Sequence, residues 1–197
     1  MGKRSEFERR EADFYATPWA AMLLLRPYLD GIKTFAEPCC GEGDLVRHLE
    51  GFGLSCVYSG DINTGQDAFA LQHYNGADAG ITNPPLTRRT SKPYDCELLH
   101  DLIDHFLKIA PTTPTWLLIH YDWSATEQAA KYLPHCSDIV VLPRLKWITD
   151  SKYTGKDSHA WFKFDPRHSG GPVLHNDRCK AQRRGHALGP LEPREAP

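Results

Sequence analysis

The 197-residue chain is 41% hydrophobic and 24% charged, long enough for one domain with a sizeable core and little more. Its 23 basic and 25 acidic residues leave a formal charge of -2, which excludes an overall positive field and leaves contact with nucleic acid to local basic patches. The charged opening MGKRSEFERREADF has no apolar core segment, and runs such as Ala20 to Leu25 are too short to span a bilayer, so a cytoplasmic protein without a membrane partner is expected.

Residues 1–12 read as a frayed segment, residues 13–165 as one catalytic domain and residues 166–197 as a disordered tail. The tail is rich in Gly, Pro, Arg and His and lacks the periodic apolar residues needed to offset ordering entropy. In between, the pattern predicts a strand at Lys33 to Ala36, a helix at Asp44 to Phe52 and strands at Ser55 to Ser59 and Ala79 to Thr82. A helix follows at Cys96 to Ile109, then a strand at Thr115 to His120 and a helix at Ser124 to Tyr132. Strands at Asp138 to Leu142 and His159 to Phe164 close the series, and no repeat interrupts it. Alternation of this kind predicts an α/β fold, a mostly parallel sheet with helices on both faces, whose ligands sit beyond the carboxyl ends of the strands.

The segment Thr34-Phe-Ala-Glu-Pro-Cys-Cys-Gly-Glu-Gly-Asp-Leu45 is a strand end, a tight turn and a helix start. Gly41 and Gly43 permit a sharp turn and close approach of a ligand, which the free amides of a helix N-terminus can bind. A plain strand-to-helix turn uses glycine for the same reason, so the turn alone does not mark a ligand site. The next strand ends Tyr58-Ser-Gly-Asp-Ile-Asn63, and Asp61 stands about 20 positions after the glycine turn, where ribose-binding units carry an acid that accepts from both hydroxyls. Val46 occupies the place of the third glycine of a dinucleotide fingerprint, which favours a nucleoside ligand without a pyrophosphate.

Downstream, Ala77-Asp-Ala-Gly-Ile-Thr-Asn-Pro-Pro-Leu86 resembles the D-x-x-x-x-N-P-P-aromatic motif of amino methyltransferases. The E-P-C-C-G-E-G segment resembles that family's cofactor loop, and Asp13-Phe-Tyr-Ala-Thr-Pro-Trp19 its preceding Y-x-T-P element. Pro143-Arg-Leu-Lys-Trp-Ile148 with His159-Ala-Trp-Phe162 is similar to the closing hairpin of short phage-type members that methylate adenine N6. The resemblance implies a Rossmann-like class I methyltransferase fold with an antiparallel closing hairpin. It implies S-adenosylmethionine as cofactor, held by Tyr15, Thr17, Pro18, Glu37, Pro38, Cys39, Gly41, Gly43, Asp61, Ile62, Asp67 and Asn83. Asn83, Pro84, Pro85 and Leu86 would meet the reacting amine.

The chemistry explains why such a motif suits the task. The lone pair of an exocyclic amine is delocalised into the ring, and acceptors aimed at its N–H bonds localise it only as the nitrogen becomes tetrahedral. The family's acceptors are the Asn83 side-chain oxygen and the Pro84 carbonyl, which consecutive prolines hold in one orientation. Leu86 departs from the family's aromatic residue, which stacks the target base. Tyr15, Tyr121, Trp123 or Trp147 are candidate replacement rings, each equally suited to a core.

Arg88, Arg89 and Lys92 follow the motif. Arg144, Lys146, Lys152 and Lys156 interleave with Trp147 and Tyr153. Both groups, with Arg144, Lys146 and Trp147 foremost in the second, are candidate nucleic-acid contacts, and Lys180, Arg183 and Arg184 add nonspecific affinity. DNA is the expected partner, its base flipped or unpaired. Guanine amino groups in RNA, glutamine side chains in protein and a catalytically silent binding module are the alternatives. No metal is expected, because the histidines show no ligand spacing and the six cysteines no C-x-x-C pair. The cysteines read as reduced thiols, and a nucleophilic Cys39 or Cys40 near the helix start is a lesser alternative.

Overall fold

The computed structural model describes residues 16–86, 97–148 and 154–176. Pro18, with no N–H to waste, precedes helix α1 (Trp19–Leu25), which buries Ala21, Met22 and Leu25. Strand β1 (Thr34–Glu37), helix α2 (Asp44–Gly51), β2 (Ser55–Ser59) and β3 (Ala79–Thr82) follow, then α3 (Glu97–Ile109), β4 (Thr115–His120), β5 (Cys136–Val141), β6 (His159–Phe164) and β7 (Val173–His175). They form one sheet in the order β2-β1-β3-β4-β6-β5-β7. Every neighbouring pair is parallel except the two made by β6, the one strand that runs against the rest. The mostly parallel sheet with an antiparallel hairpin is thus present.

Strand alternation divides the core in two. Leu117 and Ile119 of β4 point to one face, where α3 supplies Leu99, Leu102, Ile103 and Phe106. Trp116 and Leu118 point to the other, where they meet Met22 and Leu25 of α1, Leu45 and Leu49 of α2, Ile81 and Trp161. The Trp161 indole donates to the Ala21 carbonyl at 3.0 Å and ties α1 to the reversed strand. Asp78 accepts from the Lys33 and Thr34 amides at 2.8 and 2.9 Å, so the acid of the N-P-P motif clasps β1 to β3 at the end of the strand remote from Asn83.

Two expectations need correction. The helix expected at Ser124 to Tyr132 is a chain of 3-10 turns, Tyr121–Ala125, Glu127–Lys131 and Leu133–His135. Ser124 and Thr126 donate their hydroxyls back to the Tyr121 and Trp123 carbonyls, and the extended Thr126 then caps the next turn, so local bonds win over a continuous helix. The tail expected from residue 166 contains a strand, β7, which pairs with β5. His175 lies 2.8 Å from Asp138 and its ring 4.6 Å from that of Tyr28. Burial works against the Asp138 charge, but bonds from His175 and Ser137 and the nearby Lys163 outweigh it and hold the carboxyl below its ordinary value. Such partners are remote in sequence, and composition does not reveal them. The frayed segment expected at residues 1–12 and the tail beyond residue 176 lie outside the described residues. Among the described residues no helix is long and apolar enough to cross a membrane.

Candidate functional site

The carboxyl ends of β1, β2 and β3 converge. Beyond β1 the chain turns through Gly41 and Gly43, both with positive φ (52° and 81°), and Gly43 becomes the N-cap of α2. Past the strand ends, the Gly60 amide donates to Glu37 and the Cys40 amide to Gly60, so the two loops remain zipped together. Asp61 is buried and accepts from the Gly41 amide at 2.9 Å through one oxygen, and from the Asn63 amide and side chain at 2.8 Å through the other. Three of its roughly four acceptor positions are engaged, so the carboxylate sets the glycine turn and keeps one acceptor position. Ile62, next to it, is 64% exposed despite being a large apolar residue.

Glu37 is fully buried, with the Cys39 amide donating to Oε1 at 3.2 Å. Desolvation raises its pKa to about 8, against the weaker opposing effects of Thr82 and the Cys39 amide. Thr82 is close enough to favour the carboxylate, yet neither its hydroxyl nor Glu37 Oε2 finds a hydrogen bond of good geometry among the described residues. Burial, with Glu37 nearby, pushes the Cys39 thiol far up, and burial also raises that of Cys40, so neither is a thiolate nucleophile.

Asn83 follows β3 directly, and its side-chain Nδ2 donates to the Thr17 hydroxyl at 3.2 Å. Thr17 is itself buried, and its carbonyl meets His48 Nε2 of α2 at 3.1 Å, so the segment carrying Thr17 and Pro18 is pinned between α2 and Asn83. Thr17, Glu37, Gly41, Asp61 and Asn83 are therefore brought together, with Pro38, Cys39 and Gly43 in the turn and Pro84 and Pro85 after Asn83. Asp67 stands apart. It caps the 3-10 turn Ala68–Ala70 and lines a cleft of about 440 Å³ with Tyr58, Leu71 and Gln72. Leu86 packs against the core on the α3 side.

Tyr15, Arg88, Arg89 and Lys92 lie outside the described residues, as do Lys152, Tyr153 and the basic residues of the tail. Arg144 and Lys146 are exposed on the segment after β5, whereas Trp147 is half-buried against the α1–α2 core. Sequence reading did not single out the paired imidazoles of His120 and His159, which sit opposite each other at the carboxyl end of β4 with ring centroids 4.5 Å apart. Only strand register brings them together, and no local spacing signals it. Among the described residues no group of three or more His, Cys, Asp or Glu side chains is placed to hold a metal ion.

No protein-family model matches the sequence, and no curated protein matches it. Solved structures do. A Listeria monocytogenes protein assigned as a class I S-adenosylmethionine-dependent methyltransferase superposes with a TM-score of 0.56 at 15% identity, over 92% of this chain and 72% of that one. A Pyrococcus horikoshii protein assigned as an RNA methyltransferase gives 0.51 at 16%, over 83% of this chain and 91% of the other. At this identity the likeness establishes the fold: a Rossmann-like class I methyltransferase sheet.

Proposed function

We propose that this chain transfers a methyl group from S-adenosylmethionine to the exocyclic amine of adenine in DNA. The observation that carries the reading is the convergence of Glu37, Asp61 and Asn83 at the carboxyl ends of three adjacent strands, with Asn83 oriented by Thr17. The residues fit the cofactor. Two positive-φ glycines leave backbone open to close approach, and a buried carboxylate oxygen of Glu37 lacks a hydrogen bond. Asp61 retains acceptor capacity for ribose, and Ile62 offers an exposed apolar face to a purine. Tyr15, Thr17, Pro18, Pro38, Cys39, Gly41 and Gly43 complete the proposed cofactor site.

When bound, the cofactor supplies an electrophilic methyl group on a sulfonium. This chain's residues hold and polarise the acceptor. The Asn83 amide oxygen and the Pro84 carbonyl accept from the two amine N–H bonds, which keeps the lone pair on nitrogen as the new N–C bond forms and the S–C bond breaks. The nitrogen then loses one proton to solvent, and no titrating base is required. Pro84 and Pro85 fix the acceptor carbonyl, which saves reorganisation at the moment of transfer. Arg144 and Lys146, with Arg88, Arg89 and Lys92, are the proposed phosphate contacts.

Incubation with labelled S-adenosylmethionine and, in parallel, single-stranded DNA, double-stranded DNA, RNA and protein tests this. Label in DNA is the expected result. Label confined to RNA or protein replaces adenine in DNA by guanine N2 or a glutamine amide, and cofactor binding without transfer to any polymer makes the fold a binding module.

A further inference from the structure

The Asn83 face of the sheet carries an aromatic group on the side away from the cofactor residues. Strand alternation puts Asn83 in phase with Ile81, His120 with Trp116 and Leu118, and His159 with Trp161, and all four apolar residues belong to the α1–α2 core. In the order β2-β1-β3-β4-β6, Glu37 and Asp61 lie on one side of β3, and His120 and His159 on the other. At about 4.8 Å per strand, the two imidazoles stand roughly 5 and 10 Å to the side of β3, the strand that leads into Asn83. The Trp147 ring meets that of His159 edge-on, with centroids 4.8 Å apart. Gly155 gives it room, since its amide donates to the Leu145 carbonyl at 2.8 Å and a β-carbon there would lie 3.1 Å from the indole.

Two of the other candidate rings, Trp123 and Tyr121, lie on the opposite face of the sheet. Trp123 is buried in the α3-side core, with its indole bonded to His100 at 3.0 Å, and Tyr121 packs on that same side. Leu86 does too. We infer that the acceptor base is stacked by Trp147 and His120, which supply the planar surface that Leu86 lacks, while His159 acts as a positioning residue that props both rings. This assignment rests on the methyltransferase reading and names the acceptor side of the same site. Its substrate class is a planar, unpaired nucleobase rather than an aliphatic amide, because a face of rings gains most from a π-surface.

The test measures binding of the full chain to single-stranded oligo(dA) and to an abasic oligonucleotide of equal length by fluorescence anisotropy, with S-adenosylmethionine affinity measured separately by calorimetry. Trp147→Leu and His120→Leu are expected to weaken oligo(dA) binding about tenfold each, to leave abasic binding unchanged and to keep cofactor affinity within about twofold. Trp147→Phe and His159→Phe are expected to restore most of the loss seen in Trp147→Leu and His159→Ala, which a purely structural role would not produce at equal thermal stability. Parental oligo(dA) affinity in both leucine variants overturns the assignment, as does a parent that binds oligo(dA) no better than the abasic strand. Either result leaves the cofactor reading standing. A parent that fails to bind S-adenosylmethionine removes that reading, and the assignment with it.

Discussion

Glu37 holds its proton because burial, not a charged neighbour, dominates its surroundings. The unfolded chain ionises it above about pH 4.5, whereas the folded protein keeps the proton until about pH 8, so the folded state binds more protons in that window. Stability therefore falls as pH rises from about 4.5 to about 8. His159 acts with the opposite sign. Burial, then His120, depresses it from 6.5 to about 4, so its contribution is complete above pH 6.5 and is lost as pH falls toward 4. Of these two groups only Glu37 shapes the limb above pH 6.5, and Glu37→Gln is expected to flatten that limb in urea melts taken from pH 6.5 to 8. A cationic cofactor beside Glu37 favours the carboxylate, so binding near pH 7 is expected to release a proton. Calorimetry in buffers of different ionisation enthalpy reads that release as a buffer-dependent heat that Glu37→Gln abolishes. Thr17→Val removes the acceptor for Asn83 Nδ2 and is expected to slow methyl transfer about tenfold in single-turnover kinetics.

At the scale of elements, β3 depends on a missing side chain. A β-carbon on Gly80 would lie 2.7 Å from the Tyr74 ring, and that ring is buried with its hydroxyl 2.9 Å from Thr115. Gly80→Ala is therefore expected to cost about 1–3 kcal/mol, measured as a lower urea midpoint at unchanged slope. The strands themselves were largely legible, because β-branched and aromatic residues bounded by glycine and proline give a clear local signal: the strand expected at Lys33 to Ala36 is β1 at Thr34–Glu37. What escaped were features set by distant partners. The three-residue strand β7 is held by β5, Asp138 and Tyr28, and α1 is tied to β6 by the indole of Trp161. The 3-10 chain at Tyr121–His135 reflects hydroxyl-to-backbone bonds that an apolar pattern does not register. The same division runs through the site: the glycine turn, Asp61 and the N-P-P segment announce themselves locally, whereas the facing of His120 on His159 follows from antiparallel register alone.

Taken whole, the molecule places its chemistry on one edge of one sheet. Beyond the carboxyl ends of the parallel strands, the order from β2 to β4 reads as the proposed cofactor residues, then Asn83, then His120, which faces His159 at the start of the reversed β6. The exposed Arg144 and Lys146 flank the aromatic side, so raising salt is expected to weaken polynucleotide binding while leaving S-adenosylmethionine affinity nearly unchanged. The most direct test of the account is single-turnover formation of N6-methyladenine in DNA, read by mass spectrometry, for the parent and for Asn83→Ala. The account predicts product from the parent and a loss of about 100-fold or more in Asn83→Ala at cofactor affinity within a few-fold of the parent. An Asn83→Ala variant that forms N6-methyladenine at the parental rate would contradict it.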